Sequence, residues 1–162
     1  MSVIIKGNDL ISKAQTILDV HKNDEHDLLA ILLEIQAIIP EQYISEEMVE
    51  FLSKKMGISP KRVYEVITFY SALSDKPRGK YIIQICNSTA CMVNKYKTLR
   101  DILEKQLGIK VGETTFDNKF TLMYTPCFGA CDISPAFRIG EEVYGKLSEE
   151  KIAEIIQSYR GM

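Results

Sequence analysis

Four cysteines carry the clearest chemical signal in this chain: Cys86, Cys91, Cys127 and Cys131, with no fifth. Four residues separate the first two, three separate the last two, and thirty-five lie between the pairs. Two pairs of thiolates on two loops can enclose one soft metal centre, because thiolate sulfur is a polarisable donor suited to zinc or an iron–sulfur cluster. Structural zinc usually takes tighter knuckles with two residues between ligands, and no histidine lies near either loop. A two-iron cluster takes two thiolates per iron, and wider loops can wrap a larger object. The spacing favours iron–sulfur and leaves a structural four-cysteine zinc site open. Thiol-redox chemistry of the thioredoxin kind wants Cys-x-x-Cys, which neither pair has. Disulfides need an oxidising compartment. The opening residues lack the long apolar stretch of a secretory signal, so a cytoplasmic location is expected.

The elements that must position these thiols fall into two groups. Residues 8–73 read as helical. Leu28, Ile31, Leu32, Ile35, Ile38 and Ile39 recur at intervals of three and four, and Pro40 stops that stripe. Ser45 offers an N-cap with Glu46 and Glu47 in the first turn; Met48, Val49, Leu52 and Met56 follow, and Gly57 ends the helix. Ser59-Pro60 is a second cap with proline at the first helical position, before Val63, Val66, Ile67 and Tyr70. With an earlier helix over residues 9–20, this predicts an N-terminal helical bundle, residues 1–75.

A Pro- and Gly-containing break, Ser74 to Gly79, then changes the period. Tyr81 to Ile85 predicts a strand running into Cys86. Residues 92–107 predict a helix opened by Cys91. Val111–Thr115 and Phe120–Thr125 predict a hairpin around Asp117-Asn118, with Cys127 just beyond it. Short strands at Phe137–Ile139 and Val143–Tyr144 and a last helix capped by Ser148 complete a β-α-β-β-β-α order over residues 76–162. The fold class is α+β with a thioredoxin-like second domain. All four cysteines then gather at one end of one sheet.

Composition excludes some functions. The net charge of −2 is spread through the chain without a basic stripe, which argues against a nucleic-acid surface. No apolar run approaches the length of a bilayer span, so no direct membrane contact is expected. At 162 residues the chain can bury a sizeable core.

Cys86-Asn-Ser-Thr-Ala-Cys91 and Cys127-Phe-Gly-Ala-Cys131 resemble the thioredoxin-like [2Fe–2S] ferredoxin subunit. That subunit partners the NADH-binding flavoprotein of respiratory complex I, of NAD-linked hydrogenases, including electron-bifurcating ones, and of some formate dehydrogenases. Gly112-Glu-Thr-Thr115, Phe120-Thr-Leu122, Ile35-Gln36, Val63-Tyr-Glu-Val66 and Thr68-Phe-Tyr70 extend the likeness over residues 28–159. The resemblance implies one [2Fe–2S] cluster, with Cys86 and Cys91 on one iron and Cys127 and Cys131 on the other. It implies one-electron transfer inside an NADH-linked oxidoreductase, with FMN and NADH on a partner subunit. No Gly-x-Gly-x-x-Gly follows a strand here, so this chain is not expected to oxidise NADH alone. The sequence departs from the family in placing Asn-Ser-Thr-Ala between the first cysteines and Asp132 after the last. A carboxylate there is expected to lower the cluster's potential.

Smaller expectations attach to other residues. His21 and His26 read as solvated surface groups. Phe69 and Tyr70 read as core, with docking as the alternative. Asp24-Glu25 and Glu46-Glu47 read as helix N-terminal charge. Gly129 is expected at positive φ to wrap the centre. Pro135 is expected to be cis, since thioredoxin-like folds often place a cis-proline opposite the active loop.

Overall fold

The computed structural model describes residues 7–161. The chain separates into two compact units, divided between Pro77 and Arg78. Each has its own hydrophobic core.

The first unit contains α1 (Gly7–Val20), a 3-10 turn over Glu25–Asp27, α2 (Leu28–Ile38), α3 (Glu46–Met56) and α4 (Pro60–Phe69). The apolar stripes do what their period dictates. Leu28, Ile31, Leu32 and Ile35 of α2 are buried with Met48, Val49 and Leu52 of α3 and Val63 and Ile67 of α4. The caps form as read: Ser45 Oγ accepts from the Met48 N–H and Ser59 Oγ from the Arg62 N–H, each at 3.3 Å. Each satisfies a donor the helix leaves unpaired. Asp24 caps the 3-10 turn by accepting from the His26 N–H at 2.9 Å. Gln36 is buried at the end of α2 and uses both ends of its amide: Nε2 donates to Ala72 O at 2.9 Å and Oε1 accepts from the Ser74 N–H at 2.8 Å. The segment after α4 is thereby tied back to α2, and a polar side chain is buried without loss of its hydrogen bonds.

Two expectations are corrected in this unit. His21 is not a solvated group. Its ring lies between two carboxylates, Nδ1 at 2.9 Å from Asp27 Oδ2 and Nε2 at 3.1 Å from Glu34 Oε1, with its side chain only 15% exposed. Both carboxylates hold its pKa above the usual imidazole value, Asp27 first. Phe69 and Tyr70 are not core: Phe69 is 79% and Tyr70 40% exposed, packed edge-to-face on each other. The reason is local. Val63, Val66 and Ile67 use up the inward face of α4, and Tyr70 has already left the helix with extended backbone, ψ 116°.

The second unit is a four-stranded sheet, β1 (Tyr81–Cys86), β2 (Phe120–Thr125), β3 (Ala136–Ile139) and β4 (Glu142–Gly145), in the order β2-β1-β3-β4. β1 runs parallel to β2 and antiparallel to β3, which is antiparallel to β4. The parallel pair requires a crossover, supplied by α5 (Thr89–Val93) and α6 (Tyr96–Leu107); α7 (Glu149–Gly161) closes the unit. Because strand side chains alternate, one face of the sheet presents Ile83, Ile85, Leu122 and Phe137. These are buried with Leu99 and Leu103 of α6 and Ile152 and Ile156 of α7. This is the α+β, thioredoxin-like architecture expected.

The elements differ from the sequence reading in two places. The helix expected over 92–107 is two helices, broken where Lys95 takes a left-handed φ of 62°. Val111–Thr115 is not a strand but an irregular arm along β2, with one bridge, Thr114 to Thr121. A turn closed by Glu113 N–H to Lys110 O and the positive φ of Gly112 bend this arm away from regular pairing. Its N–H groups still reach β2, from Gly112 to Leu122 O at 2.7 Å and from Thr115 to Phe120 O at 2.8 Å.

Candidate metal centre

Cys86 is the last residue of β1, a central strand, and is buried. The next residues leave the sheet and turn into α5, whose first turn carries Cys91, also buried. Cys127 lies two residues beyond β2, after Pro126, and Cys131 opens the 3-10 turn Cys131–Ile133; both are exposed. The sheet brings the two pairs together because β2 lies beside β1 in parallel, with Cys86 opposite Thr125. Both strands therefore end at the same edge. The Cys127 and Cys131 sulfurs are 3.5 Å apart. The Cys86 thiol lies near enough to influence the titration of both Cys91 and Cys127. The fold thus brings all four predicted site residues to one end of the sheet, as two neighbouring pairs.

Backbone donors meet the sulfurs. The Gly129 N–H donates to Cys127 Sγ at 3.4 Å, and the Ala136 backbone N–H favours the thiolate of Cys91. Gly129 reaches its position with φ +91°, a conformation L side chains rarely adopt. The Gly129 N–H, then the Cys131 thiol, push the Cys127 pKa down. Burial raises Cys91, with the Ala136 N–H opposing it. Cys131 is raised mainly by its hydrogen bond to Cys127. Cys127 is therefore favoured over Cys131 as the thiolate of the exposed pair, and the thiolate is the form that binds metal.

The supports of these loops were mostly invisible in the sequence. Asn94, at the end of α5, donates from Nδ2 to the buried Ser134 Oγ at 2.6 Å, linking the Cys91 helix to the chain before β3. Ser134–Pro135 is cis, as expected. Gly145 of β4 lies so close to the Cys131–Ile133 turn that a Cβ would sit 2.2 Å from Ile133 O. Partners forty residues apart leave no local pattern, so only Gly145, as a glycine inside a strand, carried a signal.

The donor set fits an iron–sulfur cluster: four soft sulfurs and backbone N–H groups aimed at two of them. Among the described residues, no three His, Cys, Asp or Glu side chains converge on the position of a single metal ion. A two-iron cluster does not need that, since each iron takes two protein thiolates.

Comparison with known proteins agrees with this chemistry. The sequence pattern of the thioredoxin-like [2Fe–2S] ferredoxin family matches residues 14–160. A subunit of the NADH-quinone oxidoreductase of Buchnera aphidicola subsp. Acyrthosiphon pisum (strain APS) is 35% identical over 145 residues, covering 88% of this chain and 90% of that protein. The subunit of the same name from Escherichia coli (strain K12) is 35% identical over 136 residues, covering 83% and 82%. An NAD+-reducing [NiFe]-hydrogenase in its air-oxidised state shares the fold, with a TM-score of 0.68 at 20% identity. That likeness covers 83% of this chain but 23% of the hydrogenase chain. Because the family match runs through both cysteine loops and into both units, the chain belongs to the thioredoxin-like [2Fe–2S] ferredoxin family.

Proposed function

We propose that Cys86, Cys91, Cys127 and Cys131 hold one [2Fe–2S] cluster, the first two on one iron and the last two on the other. The observation that carries this is the convergence of four thiols, two buried and two exposed, at one sheet edge. A bound cluster of this type supplies reversible one-electron transfer. The chain's own residues set its surroundings. The Gly129 and Ala136 N–H groups stabilise negative charge on sulfur. Burial of Cys86 and Cys91 keeps water from one side. Asp132 is exposed, so its carboxylate, which disfavours an added electron, acts through screening solvent.

The chain works as an electron-transfer subunit of an NADH-linked oxidoreductase, with FMN and the NADH site on a flavoprotein partner. The parent enzyme is either a soluble NAD-dependent hydrogenase, with or without electron bifurcation, or a complex I-type NADH dehydrogenase. The names of the relatives support this reading. No helix among the described residues is long and apolar enough to cross a membrane, consistent with a peripheral subunit in the cytoplasm.

Two exposed apolar sites suit a protein partner. Met92 and Val93, 59% and 76% exposed, follow Cys91 directly and lie where a partner must come close to exchange electrons. Phe69 and Tyr70 give the helical unit, taken as a domain of residues 1–75, a docking role beyond stabilising its own fold.

The test is anaerobic purification of the full chain, alone and with its flavoprotein. About two irons and two acid-labile sulfides per chain, a visible spectrum and an electron paramagnetic resonance (EPR) signal on reduction are expected. A colourless protein with one zinc overturns the assignment in favour of the structural zinc reading.

A further inference from the structure

On the sheet face opposite the α6 and α7 core, Met123, Gln84 and Arg138 form a row across β2, β1 and β3, in register with one another. Arg138 Nε donates to Gln84 Oε1 at 2.6 Å. Gln84 Nε2 in turn lies 3.9 Å from Met123 Sδ. The Arg138 guanidinium lies over the ring of Phe128, 5.4 Å from its centroid. Phe128 is the residue between Cys127 and Gly129. A guanidinium is planar, permanently charged and well suited to an aromatic face. Both of its partners here are neutral, so neither cancels its charge. Arg138 is also two residues from Ala136, whose N–H meets Cys91. One arginine thus stands against the exposed cysteine loop and on the strand that supports the buried cysteine.

Building on the cluster assignment above, we propose that Arg138 is a positioning residue that sets the cluster's reduction potential. Clamped by Gln84, it stacks on Phe128 to hold the Cys127–Cys131 loop and fixes one positive charge against that loop. Reduction adds an electron and hence negative charge to the centre, so a nearby fixed cation favours the reduced form and raises the potential. The effect opposes that of Asp132.

The test is an EPR-monitored redox titration of the full chain, with iron content measured on the same samples. Arg138→Gln is expected to keep its iron but lower the reduced-to-oxidised ratio at a given potential about tenfold, equal to about 59 mV for one electron. Arg138→Lys keeps the charge without the planar stack and is expected to recover more than half of that shift. Gln84→Ala leaves the arginine but releases it, and is expected to lower the ratio about twofold to threefold. An Arg138→Gln protein that holds its iron at the wild-type potential overturns the proposal. So do equal shifts from the Gln and Lys variants, which would mark a packing role without a charge effect. If Arg138→Gln loses its iron, wild-type potentials in both other variants overturn it. A wild-type chain that binds no iron refutes the cluster assignment itself, which the iron measurement reads separately.

Discussion

The helical unit and the sheet unit are built by the same physics but use their backbones differently. In the helical unit, apolar stripes of ordinary period meet between helices capped by Ser45 and Ser59. Around the cysteines the chain departs from regular structure at positions far apart in sequence: Lys95 is left-handed, Gly129 has φ +91° and Gly145 packs against the Cys131–Ile133 turn. Regular elements are specified by local pattern, whereas a site needs several groups from distant parts of the chain aimed at one point. The helical unit has left-handed residues as well, at Lys22, Asn23 and Gln42, but they lie in the connections between its helices, and what the sequence did not show there is in side chains: a histidine held by two acids and an aromatic pair left outside.

The largest expected effect separates the units most sharply. Replacing any one of Cys86, Cys91, Cys127 or Cys131 by Ala removes a ligand for which the chain has no spare. Iron should fall from about two per chain to near zero, while helical circular dichroism from the first unit persists. Full iron and an unchanged visible spectrum in three of the four variants would break the assignment.

Gly145→Ala comes next. The added methyl must displace Ile133 backbone, and such overpacking costs about 1–3 kcal/mol. Gly129→Ala meets open space, so it costs only the left-handed strain of about 1–2 kcal/mol. Denaturant unfolding of the apo chain should rank Gly145→Ala as at least as costly, and both should shed iron faster. If Gly129→Ala were silent in both assays, the special backbone of the exposed loop would not matter.

Phe69→Ser tests the helical side. With Phe69 79% exposed, stability should change by no more than about 0.5 kcal/mol. Affinity for the flavoprotein partner should fall about tenfold, or about 1.4 kcal/mol. Unchanged affinity in this variant and in a Tyr70→Ser variant would leave the helical unit a purely structural role.

The smallest effect is a pH dependence at His21. Its folded pKa lies above the usual 6.5, through hydrogen bonds to Asp27 and then Glu34. The imidazolium form therefore contributes stability that is fully present below the unfolded value and is lost as pH rises through the folded one. Compared with His21→Gln, the wild type should gain stability at about pH 6 relative to pH 8. Parallel denaturation curves for the two proteins at both pH values would remove the clasp from the account.

Local pattern alone was enough to read α2, α3 and α4, the serine caps of α3 and α4, the strand into Cys86, the capped last helix, the four thiols and the positive φ of Gly129. Each depends on residues within a turn or two of one another, where period, capping chemistry and spacing act directly. What only the tertiary structure decided was pairing at a distance. It put Asn94 on Ser134, Arg138 on Gln84 and Phe128, and His21 between Asp27 and Glu34. It also broke the 92–107 helix at Lys95 and left Phe69 outside. The reason is physical: periodicity records which residues seek burial, but not which side chains meet once strands far apart in sequence take their register. That register brought two cysteine pairs, thirty-five residues apart, to one edge of one sheet.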